Sequence, residues 1–233
     1  MMEQSSNISS KKIQKSGPKA ANLRVARRQT SMLDGNFRNG VDRFVRPVGR
    51  FLVRLGVSAN FLTCIGLGMS VAACLLIGNS QLQLGLIFLI LTAVPDLLDG
   101  AVAVAAGTTS KRGAFFDSTA DRVTDGLLLC GVAWHLADTK GGTIMMLPMA
   151  VLATASLISY ERAKAELLGY EAKGGLMERA ERMVVLGFGL CFEVLLIPVL
   201  WIMLALTSAT ALQRFFKVWR QASKDISSSS NQS

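Results

Sequence analysis

Asp96-Leu97-Leu98-Asp99-Gly100-Ala101-Val102-Ala103, followed after a short loop by Gly113-Ala114-Phe115-Phe116-Asp117-Ser118-Thr119-Ala120-Asp121, sets four carboxylates into two successive apolar segments. An ionised carboxylate in hydrocarbon is costly unless it finds positive charge or faces a wet interior. Asp96 and Asp99 are three apart, so they share one face of a helix; Asp117 and Asp121 are four apart and share one face of the next. Two helices joined by a short loop pack antiparallel, so the two faces can meet. Four carboxylates on facing helices can hold two divalent cations. Mg²⁺ takes oxygen ligands and commonly completes its shell with substrate phosphate. Two such ions form a clamp for in-line phosphoryl displacement. Gly100, Ala101 and Ala103 beside the first pair, with Gly113 and Ala120 beside the second, allow close backbone approach or leave room for a ligand.

Working outward, the chain reads as an all-α integral membrane protein with six transmembrane helices preceded by a juxtamembrane amphipathic helix. Of its 233 residues 51% are hydrophobic and 18% charged, and the charges are segregated away from long apolar runs. The mean hydropathy of +0.40 is high for a soluble domain of this length. Residues 1–34 are polar and basic and are expected to be disordered. Residues 35–57 contain a surface helix: Val41, Phe44, Val45, Val48, Phe51, Leu52 and Leu55 recur at three- and four-residue steps between Arg43, Arg46, Arg50 and Arg54. The core domain is read over 58–222. Ser58 caps the first span, about Phe61 to Ile77. The others run over about Leu82–Ala106, Gly113–Leu136, Thr143–Tyr160, Glu178–Leu195 and Pro198–Leu212, the fourth continuing out of the membrane to Glu166. The Ser-rich stretch 223–233 is expected to be a disordered tail.

The net charge of +9 and pI of about 9.8 would suit a nucleic-acid partner. Basic residues here flank apolar helices, however, which points to anionic membrane lipid and no nucleic acid. They gather at the N-terminal segment, Lys111-Arg112, Arg162 to Lys173, Arg179 and Arg182, and after the last span; the opposite side has Lys140. The positive-inside rule then puts both termini and the 107–112 loop in the cytoplasm, with the four acids beside that face of the plasma membrane. Cys64, Cys74, Cys130 and Cys191 form no metal-binding spacing and read as small apolar residues. His135, the single histidine, reads as interfacial. No charged stretch leads directly into an apolar run as in a signal peptide.

The acids also carry a resemblance. Asp99-Gly100-x-x-Ala103-Val104, eight further residues, then Gly113-x-x-x-Asp117-x-x-x-Asp121, with Asp96 three before the first, resembles the signature of the CDP-alcohol phosphatidyltransferases. That resemblance implies a six-helix homodimer in which Asp96, Asp99, Asp117 and Asp121 hold two metals, Mg²⁺ with Mn²⁺ as a substitute. It implies CDP-diacylglycerol as donor, an acceptor alcohol whose hydroxyl attacks the phosphorus bearing the lipid, release of CMP, and Asp121 as the base. Ala59, Asn60, Phe61 and Leu62 match the segment that helps hold the CDP-lipid, as do Gly100 and Ser110. Val104 departs from the pattern, which has Arg there; Lys111 or Arg112 could supply the missing charge.

Ser159-Tyr160-x-Arg162-x-Lys164-x-Glu166, Glu178-Arg179-x-Glu181-Arg182 and Gln213-Arg214 are similar to the actinobacterial phosphatidylinositol-phosphate synthases. This implies that Lys164, Arg182 and Arg214 grip the phosphate of inositol 1-phosphate, and three cations near cytoplasmic helix ends would suit a dianion. Glycerol 3-phosphate would suit them as well. A catalytically weakened relative, motivated by Val104, and a divalent-cation transporter remain open on the sequence. Asp125 extends the Asp121 stripe by one turn and is given no ligand role, and the sequence assigns no role to Glu193.

Overall fold

The computed structural model describes residues 47–230 apart from Thr109 and Lys173, and apart from the side chains of Leu97 and of residues 226–230. The expected N-terminal tail and the first part of the amphipathic helix lie outside the described residues. Residues 47–54 are helical. Phe51 and Leu55 there are exposed, while Gly49 is buried, and a Cβ on it would stand 3.1 Å from the Ala101 carbonyl carbon.

Six helices follow: α1 Ala59–Gly78, α2 Leu82–Ala105, α3 Lys111–Thr139, α4 Met146–Leu167, α5 Arg179–Cys191 and α6 Glu193–Ser230. No strand occurs among the described residues. Local chemistry sets several boundaries. Ser58 Oγ accepts from the Phe61 N–H at 3.2 Å and starts α1, and Ser110 Oγ accepts from the Gly113 N–H at 3.0 Å and starts α3. The α1–α2 turn passes through Ser80 at φ 63°, a left-handed conformation rare outside glycine. The Ser80 hydroxyl lies 3.0 Å from His135 Nδ1, and His135 is buried beside that turn.

Three helices are long and apolar enough to cross a membrane: α1, α2 and α6 over Glu193–Asp225. The chain is an all-helical membrane protein with those three candidate spans among the described residues. The other three fall short for separate reasons. α3 carries Asp117, Asp121, Arg122 and Asp125, and α4 ends in charged residues from Glu161 onward. With 13 residues, α5 measures about 20 Å, less than the roughly 30 Å of hydrocarbon. The expected fifth helix to Leu195 breaks at Phe192, and the Cys191 carbonyl it frees accepts from Gln83 Nε2 at 3.0 Å. Glu193 then opens α6, where a negative charge favours the helix N-terminus. Pro198 sits in the second turn and forfeits one helical hydrogen bond. α6 runs to Ser230, past Ser223, where the polar composition suggested a tail.

The helices pack around an apolar core that includes Ile77, Leu128, Val132, Val151, Leu190 and Leu200. α1 lies against both α2 and α3. Gly131 makes the second contact possible, since a Cβ there would stand 2.8 Å from the Cys74 carbonyl oxygen. α6 packs on α4 and α5, and α5 reaches back to α2. α1 thereby lies against both acid-bearing helices, α5 contacts α2, and carboxylates of α2 and α3 approach one another beside them.

Candidate active site

Asp96 and Asp99 lie in the last three turns of α2, and Asp117 in the second turn of α3. One carboxylate oxygen from each of the three lies within 4.8 Å of the other two. An all-oxygen donor set of this kind fits a hard divalent cation such as Mg²⁺ or Mn²⁺. Asp99 is buried, and its Oδ2 accepts a hydrogen bond of 2.9 Å from the Thr63 hydroxyl on α1. Asp121, one turn beyond Asp117, turns toward α5: its Oδ1 lies 3.1 Å from Arg179 Nη1. The same guanidinium lies 2.6 Å from Asp96 Oδ2 and 3.4 Å from Asp125 Oδ1.

Two cavities flank this cluster. One, of about 450 Å³, is walled by the start of α1, the end of α2, the connecting loop and the start of α3. Ala59, Asn60, Gly100, Val104, Ser110 and the acids Asp99 and Asp117 line it. The other, of about 110 Å³, is lined by Asp121 and Asp125 with the basic Arg122, Arg162, Arg179, Arg182 and Arg214. A narrow gap lined by Asp96, Asp99, Asp121 and Arg179 shares residues with both. The carboxylates therefore stand between a mixed polar and apolar chamber and an arginine-rich one.

Not every residue singled out in the sequence lines the chamber expected of it. Phe61 is exposed and Leu62 buried, and neither lines the first cavity, because its α1 wall takes positions 59, 60 and 63, one helix face. Lys111 and Arg112 are exposed and do not line it either, so Val104, 69% exposed, is not replaced there by a neighbouring charge. In the second cavity Arg182 and Arg214 are both present and buried. Lys164 is exposed and absent from the wall, which takes Ile158, Ser159 and Arg162 from α4. Residues 162 and 164 point to nearly opposite sides of a helix.

The arginines are held firmly. Arg182 Nη2 lies 2.5 Å from Asp125 Oδ2. Arg214 pairs with Glu178 at 3.0 Å and donates to the carbonyls of Gly174 and Ile158 at 3.2 and 3.1 Å. Each lines the cavity and keeps N–H donors beyond these bonds, since a guanidinium carries five. Sequence reasoning missed Thr63 and Arg179. Both signals were present: Thr63 lies one turn after Ala59, and Arg179 three before Arg182, each on the face of a residue already chosen.

The geometry has close counterparts. The CDP-alcohol phosphatidyltransferase family profile matches residues 56–219. The chain is 33% identical over 208 residues to a phosphatidylinositol phosphate synthase of Streptomyces avermitilis, covering 83% of this chain and 85% of the relative. Its fold matches the crystal structure of Mycobacterium tuberculosis phosphatidylinositol phosphate synthase with CDP-DAG bound, at a TM-score of 0.71 and 31% identity, over 76% of this chain and 94% of that one. The same mycobacterial enzyme in complex with manganese and citrate matches at a TM-score of 0.69 and 30% identity, over 75% of this chain and 88% of that one. Acid spacing, fold and sequence coverage together make this chain a member of the CDP-alcohol phosphatidyltransferase family.

Proposed function

We propose that the protein transfers the phosphatidyl group of CDP-diacylglycerol to the hydroxyl of a phosphorylated polyol, inositol 1-phosphate, and releases CMP. The observation that carries this reading is the position of the carboxylates between a large mixed chamber and an arginine-lined one. A nucleotide diphosphate lipid needs the first kind of space, and a sugar phosphate needs the second. The relatives are named for phosphatidylinositol phosphate, the product this transfer would form, and the mycobacterial one was solved with CDP-DAG bound.

In this reading Asp96, Asp99, Asp117 and Asp121 hold two Mg²⁺ ions, with Mn²⁺ able to replace them. Bound there, the ions neutralise the diphosphate and stabilise charge on the leaving group. The chain's own residues do the rest. Ala59, Asn60 and Thr63 form the α1 wall of the CDP-lipid site, completed by Gly100, Val104 and Ser110. Arg182 and Arg214 hold the acceptor phosphate, and on α4 the geometry favours Arg162 over Lys164 as their third partner. The acceptor oxygen attacks the phosphorus bearing diacylglycerol, the bond from that phosphorus to the CMP oxygen breaks, and the hydroxyl proton passes to Asp121.

The same proposal takes 58–222 as the catalytic domain of a homodimer, with six membrane crossings and a juxtamembrane amphipathic helix before them. The active site faces the cytoplasm from the plasma membrane. The loop charge asymmetry and the arginine-rich chamber support that orientation.

The test is CMP release from CDP-diacylglycerol by the purified protein with Mg²⁺, offered inositol 1-phosphate, glycerol 3-phosphate or free inositol. Release with inositol 1-phosphate alone is expected. Release with glycerol 3-phosphate instead would reassign the acceptor. Silence with all three, persisting after Val104→Arg restores a cation to the CDP-lipid chamber, would overturn the enzymatic reading.

A further inference from the structure

Arg179 is the residue that the proposed reaction leaves without a task, and its surroundings are unusual. It begins α5 at the membrane-embedded cluster, and its side chain is 24% exposed. Its Nη1 lies 2.6 Å from Asp96 and 3.1 Å from Asp121, two of the acids proposed to hold metal. Its Nε lies 3.4 Å from Asp125 but makes no hydrogen bond of good geometry. It lines both the narrow gap between the acids and the arginine-rich chamber. Arg182 and Arg214, by contrast, are anchored away from the acids of the cluster by Asp125 and by Glu178 with two carbonyls.

A single cation bridging two carboxylates is doing what a divalent ion would do there, with less charge. The two cannot occupy the same oxygens together. Electrostatic repulsion opposes a guanidinium 3 Å or so from a dication. The chamber next door, which Arg179 already lines, is where its charge is useful once it is displaced. We infer that Arg179 is an exchangeable counter-cation: it neutralises Asp96 and Asp121 while metal is absent, yields to the divalent ion, and turns its guanidinium to the phosphate of the acceptor.

This inference rests on the two-metal reading proposed above. It makes Arg179 a positioning residue that links the two substrate sites. Metal binding frees a phosphate-binding arginine, and a phosphate in the chamber draws that arginine off the acids. By linkage each must then tighten the other. A fixed structural arginine would weaken metal binding by its charge but would create no such reciprocity.

The experiment is Mn²⁺ binding to the purified full-length protein in detergent by electron paramagnetic resonance, with and without inositol 1-phosphate, comparing wild type with Arg179→Gln and Arg179→Lys. Wild type is expected to bind Mn²⁺ about fivefold or more tightly when the phosphate is present. Arg179→Gln is expected to bind Mn²⁺ about tenfold more tightly than wild type without phosphate, and to lose the phosphate effect. Arg179→Lys, which keeps the charge without the fork, should retain competition with metal and lose most of the coupling. Thermal unfolding adds a readout independent of turnover: Arg179→Gln should be less stable than wild type in EDTA and regain the difference in Mg²⁺. The variant is therefore purified with Mg²⁺ and stripped afterwards. Unchanged Mn²⁺ affinity in Arg179→Gln, or phosphate coupling that survives the substitution, overturns the counter-cation role and leaves the two-metal reading intact. Absence of Mn²⁺ binding in all three proteins, with or without phosphate, overturns both.

Discussion

Asp121 and Asp117 differ by one helical turn, yet they serve opposite sides of the cluster. Asp117 lines the larger chamber and Asp121 the arginine-lined one. A base for the acceptor hydroxyl has to stand on the acceptor's side, and Asp121 lines the chamber proposed for the acceptor. Asp121→Asn should therefore lower single-turnover CMP release by on the order of 10²–10⁴-fold, while Mn²⁺ still binds through the group formed by Asp96, Asp99 and Asp117. Release within tenfold of wild type would remove Asp121 from that role. Arg182 calls for a different design. Its partner Asp125 is as buried as it is, with side chains 7% and 11% exposed. Arg182→Ala would leave that carboxylate only Arg179 at 3.4 Å and cost up to about 3–5 kcal/mol, so a fall in activity alone would be uninformative. Replacing both, as Arg182→Met with Asp125→Leu, should recover most of the thermal stability. The apparent Michaelis constant for inositol 1-phosphate should still rise tenfold or more in the double variant, with that for CDP-diacylglycerol nearly unchanged. Equal rises for both substrates would count against a phosphate-holding role.

At the scale of elements, the site depends on how closely α1 and α3 approach. Thr63 on α1 can reach Asp99 on α2 because α1 lies tight against both α2 and α3. Gly131 is a point of close main-chain approach, with the Cys74 backbone where its side chain would be. Gly131→Val should push the two helices apart. Overpacking of this kind costs typically about 1–3 kcal/mol, and here the obstacle is main chain, which cannot rotate away. A clear drop in unfolding temperature in detergent is expected, with weaker Mn²⁺ binding as the Thr63–Asp99 contact loosens. Gly126, on the same helix, has open space around it, so Gly126→Ala should leave both properties near wild type. A variant at 131 as stable as that at 126 would mean the contact is not limiting.

For the whole molecule, the question is how six helices with three evident spans sit in a bilayer. The three less apolar helices carry Asp117, Asp121, Asp125, Arg162, Arg179 and Arg182, which lowers their hydropathy, while Asp96 and Asp99 on α2 and Arg214 on α6 are carried by helices apolar enough to span. α5 is short for a crossing, but bilayers thin locally around short helices at modest cost. In a background with Cys64, Cys74, Cys130 and Cys191 replaced by alanine, single cysteines at Lys140 and Phe192 should react with a membrane-impermeant maleimide added to intact cells. Cysteines at Thr108 and Leu168 should react only after permeabilisation. Protection of position 192 from the outside would mean that α5 and α6 do not form separate crossings.

Much of this was legible in the chain itself. Three spans follow from hydropathy, since a run of uncharged residues about 20 long has few places to go but a bilayer, whereas the other three helices do not reach that hydropathy. Asp96, Asp99 and Asp117 were readable because acids at helical spacing in apolar sequence have few explanations other than a cation. Which face of each helix meets which cavity was not readable. Periodicity puts Ala59 and Thr63 on one side, but only packing says that this side, and not that of Phe61, looks at Asp99. The same holds on α4, where a sequence similarity named Lys164 and the cavity wall takes Arg162, itself an exposed residue. Arg179 was invisible as a bridge because its partners lie 54 or more residues away in sequence, on other helices. Spacing along one chain determines which residues share a helix face; only the docking of rigid helices decides what that face confronts.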